Sequence, residues 1–472
     1  MTTAAIVGSG PNGLSAAITL ARAGIETVVY EARETIGGCA RTGEVTLPGF
    51  HHDLGSSIYP MGVASPFFSS LPLAQFGLRW IEPDAPLAHP LDDGSAVMLE
   101  HDLEQTAASL GSDSGAYKRL LQPLADRWPD LVSEVLGPLI HLPRHPILLA
   151  RFGLSAMLPA TLLAKTIFRG SRARALFAGN AAHSVLPLEN AFSSAVALVL
   201  GAAGHATGWP IAAGGAQSIS KALAAYFQSL GGRIETSRPI ATLDELGATD
   251  LILADVSPRQ LNLLGEKELT PKYKRSLDYF KYGPAAFKID WALSEPIPWK
   301  AKECLRAATV HLGGTLEEIA ASERAPWQGS VAPKPFVLLA QPSLFDPTRA
   351  PAGKHTAWGY CHVPNGFSGA PDQMQARIEA QVERFAPGFR DCILARKLWS
   401  TAAFEAWNPN LIGGDLSGGA MTLRQLAFRP TEWQYRTSSR RIYLCSASTP
   451  PGGAVHGMCG HLAALTALRD LM

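Results

Sequence analysis

Residues 3–31, TAAIVGSGPNGLSAAITLARAGIETVVYE, decide the fold of this chain. The apolar run at the start predicts a buried strand, and the glycines after it predict a tight turn. The next segment has apolar residues at helical spacing and ends at Gly24, and a second apolar run ends in Glu31. A strand, a glycine turn, a helix and a strand that ends in an acid are typical of a domain that binds the ADP part of a dinucleotide.

Each position of this motif has a predicted role. Gly8 permits the tight turn, Gly10 lets the backbone approach the pyrophosphate, and Gly13 lets the helix pack closely on the strand. Pro11 and Asn12 begin the helix, whose N-terminus offers positive partial charge and free amide donors to phosphate. The acid that ends the second strand would bind a ribose hydroxyl rather than a 2′-phosphate.

A second glycine signature, Gly37 and Gly38, follows this motif. Nicotinamide dehydrogenases do not need it, whereas backbone without side chains allows the extended FAD molecule to lie against the chain. Further along, the small residues Gly55, Ser56 and Ser57 are predicted to lie against the flavin ring. FAD is therefore the predicted cofactor.

Length and composition indicate a globular protein of two or three domains. The chain has 472 residues, of which 47% are hydrophobic and 17% charged, with 41 basic and 40 acidic residues. The formal charge of +1 gives no electrostatic case for binding nucleic acid. The six cysteines are scattered without the spacing of a metal site or a redox disulfide, so no metal is predicted. These features, and a first strand that leaves no room for a secretory signal, predict a reducing, cytoplasmic location.

The rest of the sequence predicts an α/β fold, with a Rossmann-type FAD-binding domain that is discontinuous in sequence and a mixed-sheet and helical substrate domain. Residues 66–204 are mainly helical, and residues 261–439 alternate strands with proline-rich loops. Between them, a glycine turn, a helix and the apolar run LILA predict a return to the dinucleotide domain. The predicted ranges are 1–65, 205–260 and 440–472 for the FAD-binding domain, and 66–204 and 261–439 for the substrate domain.

Two apolar segments raise the question of a membrane. Residues 190–220 contain no Asp, Glu, Lys or Arg, but the apolar part is too short for a bilayer and is followed by glycines and a proline, so a buried helix is predicted. Residues 145–172 combine long aliphatic side chains with Arg151, Lys165, Arg169 and Arg172. Three interpretations of this second segment are open: a helical wall of the substrate domain, a peripheral membrane contact, or a homodimer face.

Three segments together resemble one protein superfamily, that of flavin amine oxidases, carotenoid desaturases and Rab GDP-dissociation inhibitors. The opening GSGPNG, the middle segment WPIAAGGAQSISKAL and the ending STPPGGAVHG carry this similarity. Within the superfamily, YGPAAFKIDWAL and NPNLIGGD look like the bacterial phytoene desaturase-like, or phytoene dehydrogenase-related, FAD-dependent oxidoreductases. The resemblance covers the whole chain.

This resemblance implies further cofactor contacts. Arg41 would face the pyrophosphate, replacing an arginine that many relatives carry where this chain has Cys39. Ile240, expected on the strand after Gly232, would lie by the adenine. The C-terminal loop would enclose the pyrimidine end of the flavin, above a helix whose N-terminus can stabilise negative charge. Its predicted contact residues are Thr449, Pro451, Gly452, Gly453, Val455, Gly457 and Met458.

The resemblance also implies an activity. A flavin enzyme of this kind removes a hydride from an apolar polyene, isoprenoid or aromatic substrate in a desaturase-type reaction. Only one dinucleotide fingerprint is visible, so oxygen or a quinone is the predicted electron acceptor. The second interpretation is oxidation of a small amine or amino acid, which the similarity disfavours because it places Pro450 where amine oxidases usually carry a tyrosine. The third is a non-catalytic carrier of a prenylated partner, which the intact FAD segments disfavour.

Four residues are candidates for catalysis in the substrate pocket. His183 and His456 could accept a proton once hydride leaves, which requires a pKa near neutrality. Tyr59 and Asn410 complete the set. Lys288 is interpreted as structural unless its strand faces the flavin, where it could orient a water.

Overall fold

The computed structural model describes residues 2–472 as a mixed α/β protein with two main sheets. Sixteen strands occur in this range. In chain order they are β1 Thr3–Val7, β2 Glu26–Tyr30, β3 Thr42–Glu44, β4 His51–Asp53, β5 Trp80–Ile81, β6 Ala85–Pro90, β7 Ala96–Leu99, β8 Ile211–Ala212, β9 Arg233–Glu235, β10 Leu251–Ala254, β11 Ala285–Leu293, β12 Ala307–Leu312, β13 Val337–Ala340, β14 His355–Val363, β15 Ile393–Trp399 and β16 Ile442–Leu444.

The helices lie mainly between these strands. In chain order they are α1 Pro11–Arg22, α2 Pro60–Val63, α3 Pro66–Ser69, α4 Leu103–Ser109, α5 Ser114–Ala125, α6 Trp128–Val135, α7 Pro146–Ala156, α8 Ala160–Ile167, α9 Ser171–Ala182, α10 Ser193–Ala206, α11 Gln217–Ser229, α12 Pro258–Leu264, α13 Pro271–Asp278, α14 Leu316–Arg324, α15 Pro371–Phe385, α16 Thr401–Trp407, α17 Leu423–Ala427 and α18 Met458–Leu471.

The first sheet is a Rossmann-like parallel sheet with the strand order β16-β10-β1-β2-β9. Its strands come from three distant stretches of the chain, and α1, α11 and α18 cover one face while α12 and α13 cover the other. Burial on both faces explains why LILA and AAIV read as continuous apolar runs without alternation. The predicted discontinuous fold class is confirmed. The exact domain boundaries stay a prediction.

The second sheet is mixed and has the strand order β15-β11-β14-β13-β12-β6-β7. Successive side chains of its strands point into two different cores. Leu338 packs with the helices of residues 66–204, whereas Val337 and Leu339 pack with α15 on the opposite face. The predicted mainly helical range 66–204 also contains the strands β6 and β7. Strand β6 pairs with β12, which lies more than two hundred residues later, and β7 pairs with β6. No local pattern indicates a pairing over that distance.

Two packing features position the site. The N-terminal ends of α1 and α18 touch so closely that a Cβ on Gly460 would lie 1.8 Å from the carbonyl oxygen of Asn12. The predicted buried helix in the stretch 190–220 is α10, whose end is followed by β8. Within residues 2–472, no single helix is long and apolar enough to cross a bilayer, although α7 and α8 meet the same criterion jointly with a 97° bend between them.

Candidate dinucleotide and active site

The loop between β1 and α1 is folded so tightly that side chains would not fit. Gly8 has a φ of +101°, in the left-handed region. A Cβ on Gly13 would lie 2.1 Å from the carbonyl oxygen of Gly8, and one on Gly10 would lie 2.5 Å from a carboxylate oxygen of Asp255. Helix α1 starts directly after Gly10, with Pro11 as its first residue. The loop is thus bare backbone at a helix N-terminus, an arrangement that fits a pyrophosphate.

Asp255, which follows β10, is a residue of this site that the sequence analysis missed. Its Oδ2 accepts a hydrogen bond from the Gly13 amide at 2.9 Å. Burial raises the pKa of the Asp255 carboxyl to about 7, and nearby Glu31 acts in the same direction. A signal was available, because an acid directly after a buried parallel strand lies at the carboxyl edge of the sheet, where ligands bind in this architecture.

Glu31 directly follows β2 and lies beside the glycine loop. Its Oε2 accepts from the Ser9 amide at 3.1 Å and from the Ser9 hydroxyl, and its Oε1 accepts from the Arg33 amide at 2.9 Å. Each carboxylate oxygen can accept two hydrogen bonds, so Oε1 keeps capacity for a ribose hydroxyl. Since the carboxylate is almost buried and held by backbone, its position is fixed before any ligand binds.

The second glycine signature contacts the first. Gly38 has a φ of +54°, and a Cβ on it would lie 3.0 Å from the Cα of Gly10. Arg41 donates from Nε to the Gly38 carbonyl at 2.9 Å, and its guanidinium lies 4.7 Å from the ring centre of Trp407. The predicted cation is thus held at the glycine pair. Burial raises the pKa of the Cys39 thiol to about 11, which argues against a reactive role for this cysteine.

Ile240 does not lie on the strand where it was expected. Strand β9 ends at Glu235, and Ile240 lies in the irregular segment after it, where it packs against the core on the α12–α13 face. The amide of Arg238 donates to the Glu31 carbonyl at 2.9 Å. This hydrogen bond keeps the segment beside the predicted ribose site, although Ile240 itself lies outside the sheet.

The segment Gly55, Ser56 and Ser57 is held by short hydrogen bonds. A Cβ on Gly55 would lie 2.6 Å from the Cys39 carbonyl oxygen, so this turn touches the glycine-pair segment. The Tyr59 hydroxyl donates to the Ser56 carbonyl at 2.8 Å. Burial raises the pKa of Tyr59 well above its usual value. The hydroxyl therefore stays protonated and braces the turn, which does not fit the predicted catalytic role.

Two buried ion pairs stand behind this turn. Asp53 receives the Ser57 hydroxyl at 2.6 Å, and its Oδ1 lies 2.9 Å from Nη2 of the fully buried Arg349. Lys288 donates to both carboxylate oxygens of Asp290, at 2.6 and 2.8 Å, and to the Asp53 carbonyl at 2.8 Å. An ammonium group has three protons. All three are used here, so Lys288 is structural and does not orient a water.

The C-terminal loop lies between β16 and α18. Its Thr449 hydroxyl donates to the Ser446 carbonyl at 2.8 Å, and Gly452 and Gly457 have left-handed φ values of +117° and +70°. Pro451 and Val455 are half-buried, Gly453 is exposed, and Met458 is the first residue of α18. A Cβ on Gly457 would lie 2.3 Å from the Ser15 hydroxyl of α1. The predicted flavin loop therefore lies directly against the predicted pyrophosphate helix.

Arg429 is a second residue that the sequence analysis missed. It is fully buried and donates to the backbone carbonyls of Gly418, Ala447 and Ser448 at 2.8 to 3.3 Å. A Cβ on Gly452 would lie 2.9 Å from its Nη1, so the guanidinium supports the C-terminal loop from behind. Its surroundings, FRPT, carry no local signal of burial, because the partners lie on other segments.

His456 lies in this loop but does not suit the proton-acceptor role. Burial lowers the pKa of its imidazole to about 4, so the ring is neutral at pH 7. Its Nδ1 accepts from the Met458 amide at 3.1 Å. The proton of the neutral ring is then on Nε2, which is buried and has no partner among residues 2–472. The side chain presents an unsatisfied donor, and its one lone pair is already occupied.

His183 belongs to a cluster of buried histidines. Its Nε2 is 2.9 Å from Nε2 of His311, whose ring lies 6.4 Å from that of His89. Burial lowers the pKa of His183 to about 3 and that of His89 to about 4, and it lowers the pKa of His311 well below its usual value. These rings are neutral at pH 7, and only His183 and His311 share a hydrogen bond, whereas Nε2 of His89 donates to the Gly314 carbonyl at 2.8 Å. Trp209 packs edge-on against His183. The carbonyl of the next residue, Pro210, accepts a hydrogen bond from the Tyr59 amide at 2.9 Å.

Asn410 is not brought together with the other candidates. Its Oδ1 accepts from the Ser257 amide at 2.8 Å, at the N-terminus of α12. This contact holds Ser257, the N-cap residue of α12, whose own hydroxyl accepts from the Gln260 amide, so the predicted catalytic role of Asn410 does not fit its surroundings.

The residues present therefore fit a dinucleotide. The two glycine loops pack so closely on each other and on Asp255 that an added Cβ would meet protein atoms, which leaves bare backbone at the surface of the site. Glu31 is placed for a ribose, and two helix N-termini meet beside a buried, unsatisfied histidine donor. Among residues 2–472, no cluster of histidine, cysteine or acidic side chains could hold a metal ion.

Sequence comparisons agree with this architecture. Residues 6–71 match the family model described as an NAD(P)-binding Rossmann-like domain. The chain is 26% identical to "Pyridine nucleotide-disulfide oxidoreductase domain-containing protein 2" of Rattus norvegicus, over 99% of this chain and 93% of that protein. It is 24% identical to the lycopene-forming phytoene desaturase of a Paracoccus species, over 97% of this chain and 95% of that protein.

A solved oxidase shares the fold. Putrescine oxidase bound to putrescine superposes with a TM-score of 0.63 at 16% identity, with 99% of both chains covered. At this level of identity the likeness concerns the fold alone. The similarity over nearly the whole chain to a phytoene desaturase and to an oxidoreductase-domain protein nevertheless identifies the chain as an oxidoreductase.

Proposed function

We propose that this chain, an oxidoreductase of the superfamily of FAD-dependent amine oxidases and phytoene desaturases, binds FAD and removes a hydride from an apolar polyene, isoprenoid or aromatic substrate. The observation that carries the proposal is the charge state of the side chains around the predicted flavin segments. His456 is neutral at pH 7, and Asp53 and Asp290 are each paired with a buried cation. An apolar substrate requires no counter-ion, whereas an ammonium substrate would find these carboxylates already neutralised.

FAD is favoured over a nicotinamide dinucleotide because the cradle extends beyond the ADP motif. The second glycine pair continues the bare backbone, and the C-terminal loop brings α18 against α1. When bound, FAD supplies the two-electron oxidation in this class of enzyme. The chain's own contribution is to hold and orient the cofactor and the substrate. The N-terminus of α18 and the Nε2 proton of His456 would face negative charge at the far end of the cofactor.

The proton that leaves with the hydride needs an acceptor other than His456, Tyr59 or Lys288. The lone pair of His456 is already occupied, and the Tyr59 hydroxyl is protonated and bonded to a carbonyl. Lys288 is a protonated ammonium with all its protons in hydrogen bonds. We assign this proton to solvent or to the terminal electron acceptor. That acceptor is oxygen or a quinone in our proposal, since one glycine fingerprint leaves no second nucleotide site to deliver or remove electrons.

The test is an anaerobic titration of the purified protein, followed by its visible absorption spectrum. A yellow protein that is bleached by a polyene or isoprenoid alkene, and recovers its colour on adding oxygen or a quinone, is the expected result. Bleaching by small amines but not by alkenes would replace the proposal with amine oxidation. A protein that takes up no FAD would refute the cofactor assignment. Gly13→Ala is the matched control, since it should lack both the colour and the response.

A further inference from the structure

A surface of helices α7 and α8 and the loop before them exposes apolar side chains to an unusual degree. Seven of the eighteen exposed large hydrophobic residues described for the chain fall within residues 139–162. Single exposed hydrophobic residues are ordinary, but such a concentration marks an interaction surface. We call it the apolar face, and its members are Leu139, Ile140, Leu142, Ile147, Leu154, Met157 and Leu162.

This exposure is not a failure of the helices to pack. In α7 the buried residues are Leu148, Phe152 and Ala156, at helical spacing, and they supply the inner wall. Ile147 is 83% exposed and Leu154, two turns later, is 77% exposed. Helix α7 is therefore apolar on both sides. The helical-wall interpretation accounts for the inner side and leaves the outer side unexplained.

The charge of this region is one-sided. Residues 135–188 contain no Asp or Glu, although the chain as a whole has 40 acids in 472 residues. The same stretch carries five arginines and a lysine. Within residues 2–472, no ion pair engages the guanidinium groups of Arg144, Arg151 or Arg169, while Lys165 lies 3.2 Å from Glu317. A face that combines exposed apolar side chains with unpaired cations complements a partner with an apolar interior and anionic groups at its surface.

The cations also lie close to the apolar residues. Arg151 is exposed on α7 between Ile147 and Leu154, and its Nη2 donates to the Arg119 carbonyl at 3.2 Å. Arg119 and Arg151 both line a surface cleft of about 660 Å³ between α5 and α7. None of the predicted cofactor residues lines this cleft. None of the predicted cofactor residues belongs to the apolar face either, so this face is distinct from the dinucleotide site.

We propose that the apolar face docks this protein on the surface of an anionic lipid bilayer, with its aliphatic side chains in the headgroup boundary and its arginines at the phosphates. Helix α7 has 11 residues, which at 1.5 Å per residue is about half of the hydrocarbon thickness. The sharp bend between α7 and α8 also keeps the pair from forming one long rod. The contact is therefore peripheral and reversible, with helices in the plane of the interface.

The test is co-sedimentation of the full-length protein with vesicles. One set is phosphatidylcholine alone and the other contains phosphatidylglycerol. We expect about tenfold or more tighter binding to the anionic vesicles, and a large reduction when the ionic strength is raised from about 0.1 M to about 1 M. No binding to either vesicle would overturn the proposal.

Two variants locate the surface. Ile147→Ser with Leu154→Ser should weaken binding about tenfold or more, because two aliphatic side chains no longer leave water. The matched control is Leu263→Ser with Tyr279→Ser, which removes side chains that are 62% and 80% exposed outside the apolar face. Unchanged circular dichroism and melting temperature show that both double variants fold. Equal loss in the control, or no loss in the first variant, would refute the location.

Charge and self-association are separated by two further measurements. Arg144→Gln with Arg151→Gln should reduce the preference for anionic vesicles while leaving weak binding to phosphatidylcholine. Sedimentation velocity without lipid should show no association that depends on Ile147 and Leu154. A dimer that the serine variant abolishes would instead make this face a contact between two copies of the chain, and would overturn the lipid assignment.

Discussion

Removing the charge of Lys288 should destabilise the protein strongly, and removing its partner as well should add much less than a second loss of the same size. The side chains of Lys288 and Asp290 are 5% and 0% exposed, and they are joined by two hydrogen bonds of 2.6 and 2.8 Å. Lys288→Met leaves the Asp290 carboxylate buried without a counter-ion, which costs about 3–5 kcal/mol. Asp290→Leu leaves the ammonium in the same state, at a similar cost.

The double variant should cost less than the two single losses added together. It removes both charges and leaves two orphaned groups: the Trp399 indole N–H, now 2.8 Å from Asp290, and the Asp53 carbonyl. Leaving a buried polar group unsatisfied costs about 1–3 kcal/mol. The loss in the double variant should therefore be several kcal/mol smaller than the sum of the two single losses, a coupling typical of groups in direct contact.

The assay is equilibrium unfolding in urea, followed by tryptophan fluorescence, on the four proteins of the cycle with FAD at saturating concentration. The reasoning would be refuted by a loss below about 1 kcal/mol for Lys288→Met, the size expected of an exposed pair. It would also be refuted by additive losses. If the double variant regains stability but not substrate-dependent bleaching, Lys288 has a role at the flavin beyond the one its hydrogen bonds show.

Three further outcomes follow from the site and its surroundings. Gly13→Ala should lose FAD during purification, because the new Cβ would lie 2.1 Å from the Gly8 carbonyl oxygen; Gly153→Ala, which meets nothing within 4 Å, should keep its full flavin absorbance, and equal retention by both would contradict the cradle. The native protein should react with far fewer than six thiol equivalents of a disulfide reagent at pH 8, since burial raises the pKa of every cysteine, and it should react with all six once unfolded. Stability should fall as the pH drops from about 6.5 to about 4, because buried neutral histidines have depressed folded pKa values and must gain protons on unfolding. These histidines outnumber the buried carboxyls with raised pKa values, such as Asp255, which act in the opposite direction. A melting temperature that stays constant over this range would contradict the neutral state of the cluster.

The local elements of the dinucleotide motif could be predicted because short-range physics fixes them. The glycine positions, the helix α1 that ends before Gly24 and the acid after β2 all follow from spacing within 31 residues. The same holds for α11, which lies between two glycine pairs, for β10, whose apolar run lies between Asp250 and Asp255, and for α18, which follows Gly457. The residue types of the cradle are likewise a local property, since a left-handed φ favours glycine wherever it occurs.

The state of each side chain could not be predicted, because it depends on partners that lie far away in the chain. His456 became a donor through the Met458 amide and through burial, and Lys288 lost its free protons to Asp290 and Asp53. Strands β6 and β7 joined a sheet formed mainly from residues two hundred positions later. Such contacts form only when long loops close, and the local pattern of a single sequence does not show which distant segments then meet.

By itself, then, the sequence determined a dinucleotide-binding fold and the bare backbone that a cofactor needs. Both follow from the apolar periodicity and the glycine positions of short segments. Only the tertiary structure decided that α18 meets α1, with Gly460 against the Asn12 carbonyl, and that Asp255 lies behind the glycine loop. It also decided that one side of α7 stays apolar and exposed. The physical reason is that burial, pairing and desolvation belong to the packed whole, whereas propensity and periodicity belong to neighbouring residues.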